Sequence, residues 1–171
     1  SGIYAFSSSF SLDQCVVAAP ANTAGLYLTT SQSQFTRNTE AAVRESILTA
    51  SGSNGYCVRL AAGQFAYLTE NRHSIYHATD GAQTGITDGS GILADPLFAD
   101  PAAGDFHLLS MAGRWDPNSS AWVTDAQNSP AIDAGFRSVP FAQEPLPNGG
   151  LSNLGIYGNT TFASKSPEQV R

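Results

Sequence analysis

The chain repeats itself, and that constrains its folding more than any other feature. Gly25-Leu26-Tyr27-Leu28 recurs as Gly55-Tyr56-Cys57-Val58, and Gln34-Phe35 with Thr39-Glu40 recurs as Gln64-Phe65 with Thr69-Glu70, both thirty residues on. Val43 to Ala50 recurs as Asn71 to Ala78, twenty-eight residues on. A degenerate first copy opens at Gly2-Ile3-Tyr4-Ala5. It sets Leu12 in the place of Phe35, and Gln14-Cys15-Val16-Val17 in the place of Glu45-Ser46-Ile47-Leu48. Three anchors in the same order define one unit used three times, over about 1–24, 25–54 and 55–80.

Each copy reads as three short strands separated by Gly, Ser, Asn or Thr turns, because the apolar segments are brief and rich in β-branched and aromatic residues. Thr39 to Leu48 has some helical character through Ala41, Ala42, Val43 and Ile47. The equivalent stretch, Thr69 to Tyr76, is two residues shorter and lacks those alanines, so a strand with a small insertion is preferred over a helix for Thr39 to Leu48. A three-strand unit this small cannot bury its own side chains, but stacked copies can. Each strand then lies about 4.8 Å from its counterpart in the next copy, and in parallel. Equivalent residues form ladders: Leu12/Phe35/Phe65 and Val16/Ile47/Ile75 filling the interior, with Cys15/Ser46/Ser74 beside them. The expected fold is all-β, a right-handed parallel β-helix of about three turns. A β-sandwich is the competing architecture, but it would show hairpins and no ladder of equivalent positions.

From Asp80 onward the repeat stops and turn signals multiply: Asp80-Gly81, Asp88-Gly89, Asp95-Pro96, Asp100-Pro101, Asp116-Pro117, Ser129-Pro130 and Asn148-Gly149-Gly150. Residues 81–171 are expected to be an irregular, turn-rich C-terminal segment packed on the solenoid as a cap of the same domain. Its short apolar pieces, such as Phe106-His107-Leu108-Leu109, dock on other structure rather than forming a sheet.

Composition agrees with a stacked fold. Only 13% of residues are charged, while 42% are hydrophobic, which is enough for a core in 171 residues. A ladder of identical charges would set like charges about 5 Å apart, and scarcity of charge avoids that. A net charge of −6 with a single lysine, Lys165, argues against a nucleic-acid partner. No apolar run is long enough to span a membrane. The chain begins at Ser1 with neither Met nor a leader, as expected of a piece processed or excised from something longer. Cys15 and Cys57 match no metal spacing and read as buried free thiols, with one disulfide as the alternative.

The second half carries a family resemblance. Ala94-Asp95-Pro96-Leu97-Phe98-Ala99-Asp100 and Gly104-Asp105-Phe106-His107-Leu108 are followed by Asn128-Ser129-Pro130-Ala131-Ile132-Asp133-Ala134-Gly135. Glu144-Pro145-Leu146-Pro147-Asn148-Gly149-Gly150 and Asn153-Leu154-Gly155-Ile156-Tyr157-Gly158-Asn159-Thr160 complete the series. This order resembles the C-terminal end of bacterial secreted proteins with right-handed parallel β-helix repeats. The resemblance implies a large exported or surface protein. Some of these relatives act on polysaccharides.

Candidate chemistry is sparse. Lyases on this fold pair acidic metal ligands with a basic residue on the outer face, and Arg59, Arg72 and His73 are the residues that would serve. Arg44 and Arg72 are equivalent positions, however, so a solvated ladder paired with Glu40 and Glu70 is the simpler reading. Tyr67, Tyr76, Trp115 and Trp122 are candidates for stacking on sugar rings, against core packing as the plainer role. Asp95, Asp100 and Asp105 are close enough in sequence for a Ca²⁺ site, yet each stands where a carboxylate caps a turn. His107 reads as a structural histidine. The expected function is a non-catalytic secreted or cell-surface module with a structural, attachment or self-assembly role. Its partner would be another chain or another copy at the open N-terminal end, as in a filament. The alternative is a carbohydrate-active module that binds or cleaves polysaccharide on its outer face.

Overall fold

A computed structural model describes residues 2–6, 8–30, 38–61, 66–86 and 91–167. The chain divides into two compact units, Ser1–Ala94 and Asp95–Arg171.

The first unit is all strand. Its nine strands are β1 (Ile3–Phe6), β2 (Ser9–Asp13), β3 (Val16–Ala18), β4 (Ala24–Thr29), β5 (Thr39–Arg44), β6 (Ile47–Ser51), β7 (Tyr56–Leu60), β8 (Ala66–Arg72) and β9 (Ile75–Thr79). They form three parallel sheets of three, ordered β1-β4-β7, β2-β5-β8 and β3-β6-β9. Each sheet draws one strand from each copy of the repeat. Thr39–Arg44 is strand throughout, as the β-branched and aromatic content of its counterparts required.

The register confirms one expected ladder and corrects another. Val16 pairs with Ile47, and Ile47 with Ile75. Val43 to Ala50 matches Asn71 to Ala78 position by position. Leu12, in contrast, pairs with Val43, which pairs with Asn71. The expected Phe35 and Phe65 places lie outside the described residues. Two further alignments slip. Ala24 pairs with Tyr56 and Leu26 with Val58, so Gly25 stands opposite Cys57 rather than Gly55. Thr39 pairs with Ala66 rather than with Thr69, and β8 carries an extra residue, Thr69, where the register shifts between Ala41 and Ala42. A bulge absorbs that residue, and its hydroxyl donates to the Ala41 carbonyl at 3.1 Å.

The core is built from alternate positions. Leu26, Leu28, Val43, Leu48, Val58 and Tyr76 are buried together with Val17, Ala41 and Cys57. Ile47 and Ile75 are also fully buried, so β6 and β9 hide both faces at this point.

Between the second and third sheets the chain turns on one residue. Gln14, Glu45 and His73 occupy equivalent places, and all three are left-handed, with φ of 50°, 51° and 45°. The following residue fastens the corner to the next copy. The Cys15 N–H donates to Ser46 Oγ at 3.0 Å, and the Ser46 N–H to Ser74 Oγ at 3.2 Å. Each serine hydroxyl in turn donates to a carbonyl two residues back, on Arg44 or Arg72.

The stack does not end at residue 80. Cys57 and Val58 donate their N–H groups to the carbonyls of Gln83 and Thr84, and Tyr76 donates to Ile92. Tyr56 bridges Gln83 and Ile75 bridges Ile92 in parallel. Pieces of a fourth layer therefore cover β7 and β9. Gly85 lets this layer approach: its φ is +74°, and a Cβ there would lie 1.7 Å from the Val58 carbonyl oxygen.

The second unit contains two antiparallel pairs, β10 (Phe98–Asp100) with β11 (Asp105–Leu108), and β12 (Arg114–Asp116) with β13 (Ala121–Val123). Its apolar pieces thus do pair, in short hairpins, because Asp100 caps a 3-10 turn over Pro101–Ala103 that closes the first of them. The rest is turns, held by side chains bonded to backbone. Ser129 Oγ donates to the Pro96 carbonyl and Ser164 Oγ to that of Leu108, both at 2.6 Å. Among the described residues no helix is long and apolar enough to cross a membrane.

Candidate functional site

Three outward-facing arrangements and one buried one have the chemistry to matter. The first lies on β1-β4-β7. The row Tyr4, Tyr27, Arg59 crosses the sheet in register. Tyr4 and Tyr27 meet edge to face at 5.5 Å, and the Arg59 guanidinium sits 5.4 Å from the ring centres of both Tyr27 and Tyr56. A shallow pocket of about 280 Å³ is lined by Tyr56, Val58, Arg59, Leu60 and Gly85. Tyr4 is 60% exposed and Phe6 50%.

The second is a column of alternating charge on β2-β5-β8. Arg44 reaches Asp13 at 3.1 Å on one side and Glu70 on the other, with Nε 2.6 Å from Glu70 Oε2. Arg72 completes the column, its Nε 2.9 Å from Glu70 Oε1. The hydrogen bond from Arg44 holds the Glu70 carboxyl below its ordinary range, and Glu70, then Asp13, raise the guanidinium. Glu70 is the expected ladder partner, whereas Glu40 accepts instead from Asn38. The substitution of Glu70 between two arginines removes the like-charge repulsion that a strict repeat would create.

The third is aromatic. Trp115 and Trp122 face each other across the β12–β13 hairpin at 5.8 Å, Phe162 lies 5.3 Å from Trp115, and the Lys165 ammonium stands 4.5 Å over Trp122.

The buried arrangement belongs to the second unit. Glu144 Oε1 accepts from the N–H groups of Asn153 and Asn159, both at 2.8 Å, and from Ser152 Oγ at 3.2 Å. Its Oε2 is buried without a hydrogen-bond partner among the described residues. Burial pushes this carboxyl above its ordinary range, against the pull of those donors, and nearby Asp133 adds to the rise. Asp133 is itself raised by burial and accepts from Ser166 Oγ at 2.8 Å.

The sequence candidates do not converge. Arg72 is engaged by Glu70, His73 is a left-handed corner residue, and Arg59 lies among tyrosines with no carboxylate paired to it among the described residues. Tyr76 is core, 1% exposed, with its hydroxyl bonded to Asn71 at 2.7 Å, so it offers no stacking face. Tyr67 is 45% exposed on β8. Asp95, Asp100 and Asp105 each serve their own turn, accepting from the N–H groups of Leu97, Ala103 and His107. His107 is held by Asp105 at 2.6 Å through Nδ1 and stacks on Tyr157 at 3.7 Å. Among the described residues no group of three or more His, Cys, Asp or Glu side chains gathers as metal ligands. Cys15 and Cys57 are free, and burial pushes the Cys57 thiol up to about 12, which leaves it unreactive.

Two features escaped sequence reasoning. The tyrosine row was visible as Tyr4 and Tyr27 in equivalent places of the repeat, but Arg59 joins it only through the corrected register. Glu144 gave no signal, since its burial depends on backbone donors that are distant in sequence.

A family model described as Disaggregatase related matches residues 9–135, from β2 to beyond β13. No curated protein and no solved structure matches the chain.

Proposed function

The chain belongs to the disaggregatase-related family, and on that footing we propose that it is a non-catalytic secreted or cell-surface module. In this reading its three sheets are the faces of a right-handed parallel β-helix, and its work is structural, done by docking a further strand layer at one end. The carrying observation is the asymmetry of the stack. β1, β2 and β3 are all edge strands at the same end, with no strand paired to their outer sides among the described residues. At the opposite end Gln83, Thr84 and Ile92 cover β7 and β9. A free edge invites another chain, whereas a covered one does not. The uncovered edges of β1, β2 and β3 support pairing with one partner, another copy or another chain. An end-to-end filament would need a second free end, and there only β8 has no strand on its outer side among the described residues.

Sedimentation velocity over a range of concentrations tests self-pairing. The expected outcome is a monomer–dimer equilibrium that stops at the dimer and is abolished by Ser11→Pro. The inner hydrogen bonds of β2 come from its even-numbered residues, so proline at 11 removes only an outward N–H. A chain that stays monomeric at its highest soluble concentration overturns self-pairing. Growth beyond the dimer overturns the one-ended version.

A second reading, polysaccharide binding, is favoured by the Tyr4–Tyr27–Arg59 row, which offers aromatic faces and a guanidinium on one exposed surface. Affinity electrophoresis against acidic and neutral polysaccharides is the test. Retardation that is lost in Tyr27→Ala and Arg59→Ala supports this reading, and no retardation in any gel removes it.

A further inference from the structure

The sequence holds Asn-Gly twice, at Asn54-Gly55 and Asn148-Gly149, and the fold treats the two pairs differently. In such a pair the glycine nitrogen can attack the asparagine Cγ, because no side chain hinders its approach. The new N–Cγ bond displaces the amide nitrogen as ammonia, and the glycine N–H proton passes to solvent. Water then opens the cyclic imide at either carbonyl, leaving aspartate or isoaspartate. Closure requires the glycine N–H to be free and its peptide able to swing.

Gly55 is clamped. Its N–H donates to the Gly52 carbonyl at 2.8 Å, the next residue, Tyr56, donates to Thr23 at 3.0 Å, and the Asn54 N–H donates to Asn22 Oδ1 at 3.3 Å. The Gly55 residue is buried, and a Cβ there would lie 2.4 Å from the Ser51 oxygen. Attack at this site must break the hydrogen bond and pull the third copy away from the second.

Gly149 is exposed, and its N–H has no acceptor among the described residues. Among the described residues a long 3.5 Å contact to the Glu144 carbonyl is all that restrains the Asn148 side-chain amide. Glycine is favoured at 149: its φ is +59°, and a Cβ would fall 2.1 Å from the Asp133 carboxylate, which would have to shift. The residue that makes the pair reactive is therefore one that the local fold favours.

We propose that Asn148 is a site of spontaneous, imide-mediated modification, and that its conversion loosens the corner formed by Asp133, Glu144 and the 147–150 turn. The product sets a third carboxylate beside Asp133 and Glu144, which have no ion-pair partner among the described residues, and it removes the amide donor to the Glu144 carbonyl. Isoaspartate also adds a backbone methylene to a turn closed by a 2.6 Å bond from the Gly150 N–H to the Asn148 carbonyl.

Peptide mapping of the intact chain, incubated at mildly alkaline pH beside a peptide spanning residues 145–152, is the test. The expected result is ammonia release and a mass gain of one unit at Asn148, as a mixture of aspartate and isoaspartate. Asn54 should lag by a factor of about five or more, the rate cost of one net hydrogen bond. The aged chain should melt at a lower temperature than the fresh one, while Asn148→Gln, whose larger ring closes far more slowly, holds its melting temperature. Equal conversion at Asn54, an unmodified Asn148 once the peptide has reacted, or equal loss of melting temperature in Asn148→Gln would each overturn the proposal.

Discussion

Single residues in this chain are defined by what the next copy needs from them. Ser46 is fully buried, accepts the Cys15 N–H and donates to Arg44, so one hydroxyl closes a corner in two copies. Ser46→Ala strands a backbone donor, and the expected cost in chemical denaturation is about 1–3 kcal/mol. His73 is better understood as a corner residue than as a proton carrier. His73→Gly, which adopts its φ of 45° freely, should match or exceed the native stability, while His73→Val should lose roughly 1–2 kcal/mol. The reverse order would show that the side chain, not the backbone, is what the position selects. Glu144 makes a pH prediction. Its folded-state carboxyl titrates above the unfolded value, so the folded protein holds the proton more tightly. That contribution is whole in acid and is lost as pH rises from about 4.3 through the folded value. Glu144→Gln should flatten this fall in thermal midpoint. An unchanged slope would mean the fall has another source.

At the scale of elements, position in the stack sets the price of a cavity. Leu48 lies on the central strand β6 with a neighbour on each side, Val17 and Tyr76. Leu48→Ala should destabilise by about 2–5 kcal/mol. Val17, on the edge strand β3, has a paired neighbour on one side only among the described residues, and Val17→Ala should cost clearly less. Equal losses at 17 and 48 would argue that the edge is already covered in solution. The charged column behaves differently, because Arg44 and Glu70 remain in contact with water. Salt should erode its contribution, and little else about the fold should change with ionic strength.

For the whole molecule, the two units rest on different physics. The first repeats one backbone ladder across three sheets, so its opening is cooperative. The second replaces ladders with individual bonds from Ser110, Ser129, Asn153 and Ser164 to backbone groups. Hydrogen exchange should find the slowest amides in β5 and β6, with faster exchange through residues 125–160. Slower exchange in the second unit than in β5 would contradict that division. The family model covers the first unit from Ser9 onward and the second as far as Gly135, so the family match takes in only part of the second unit.

What the amino-acid sequence determined alone was the repeat and, through it, the architecture. Copies that cannot bury their own side chains must stack, and Val43–Ala50 against Asn71–Ala78 set that stacking without error. It did not determine register elsewhere. A bulge at Thr69 and offsets at Gly55 and Thr39 shift pairing by one to three residues, and such slips leave almost no mark on composition. Only the tertiary structure decided that Leu12 meets Val43, that Arg59 joins the tyrosine row and that Tyr76 is core. The site candidates were hardest to read, because a side chain's availability depends on which neighbours arrive from distant segments. Tertiary structure also laid chain over β7 and β9 at one end of the stack. The pieces at Gln83 and Ile92 carry no trace of the repeat, since backbone groups make their pairing and any side chain of suitable size permits it.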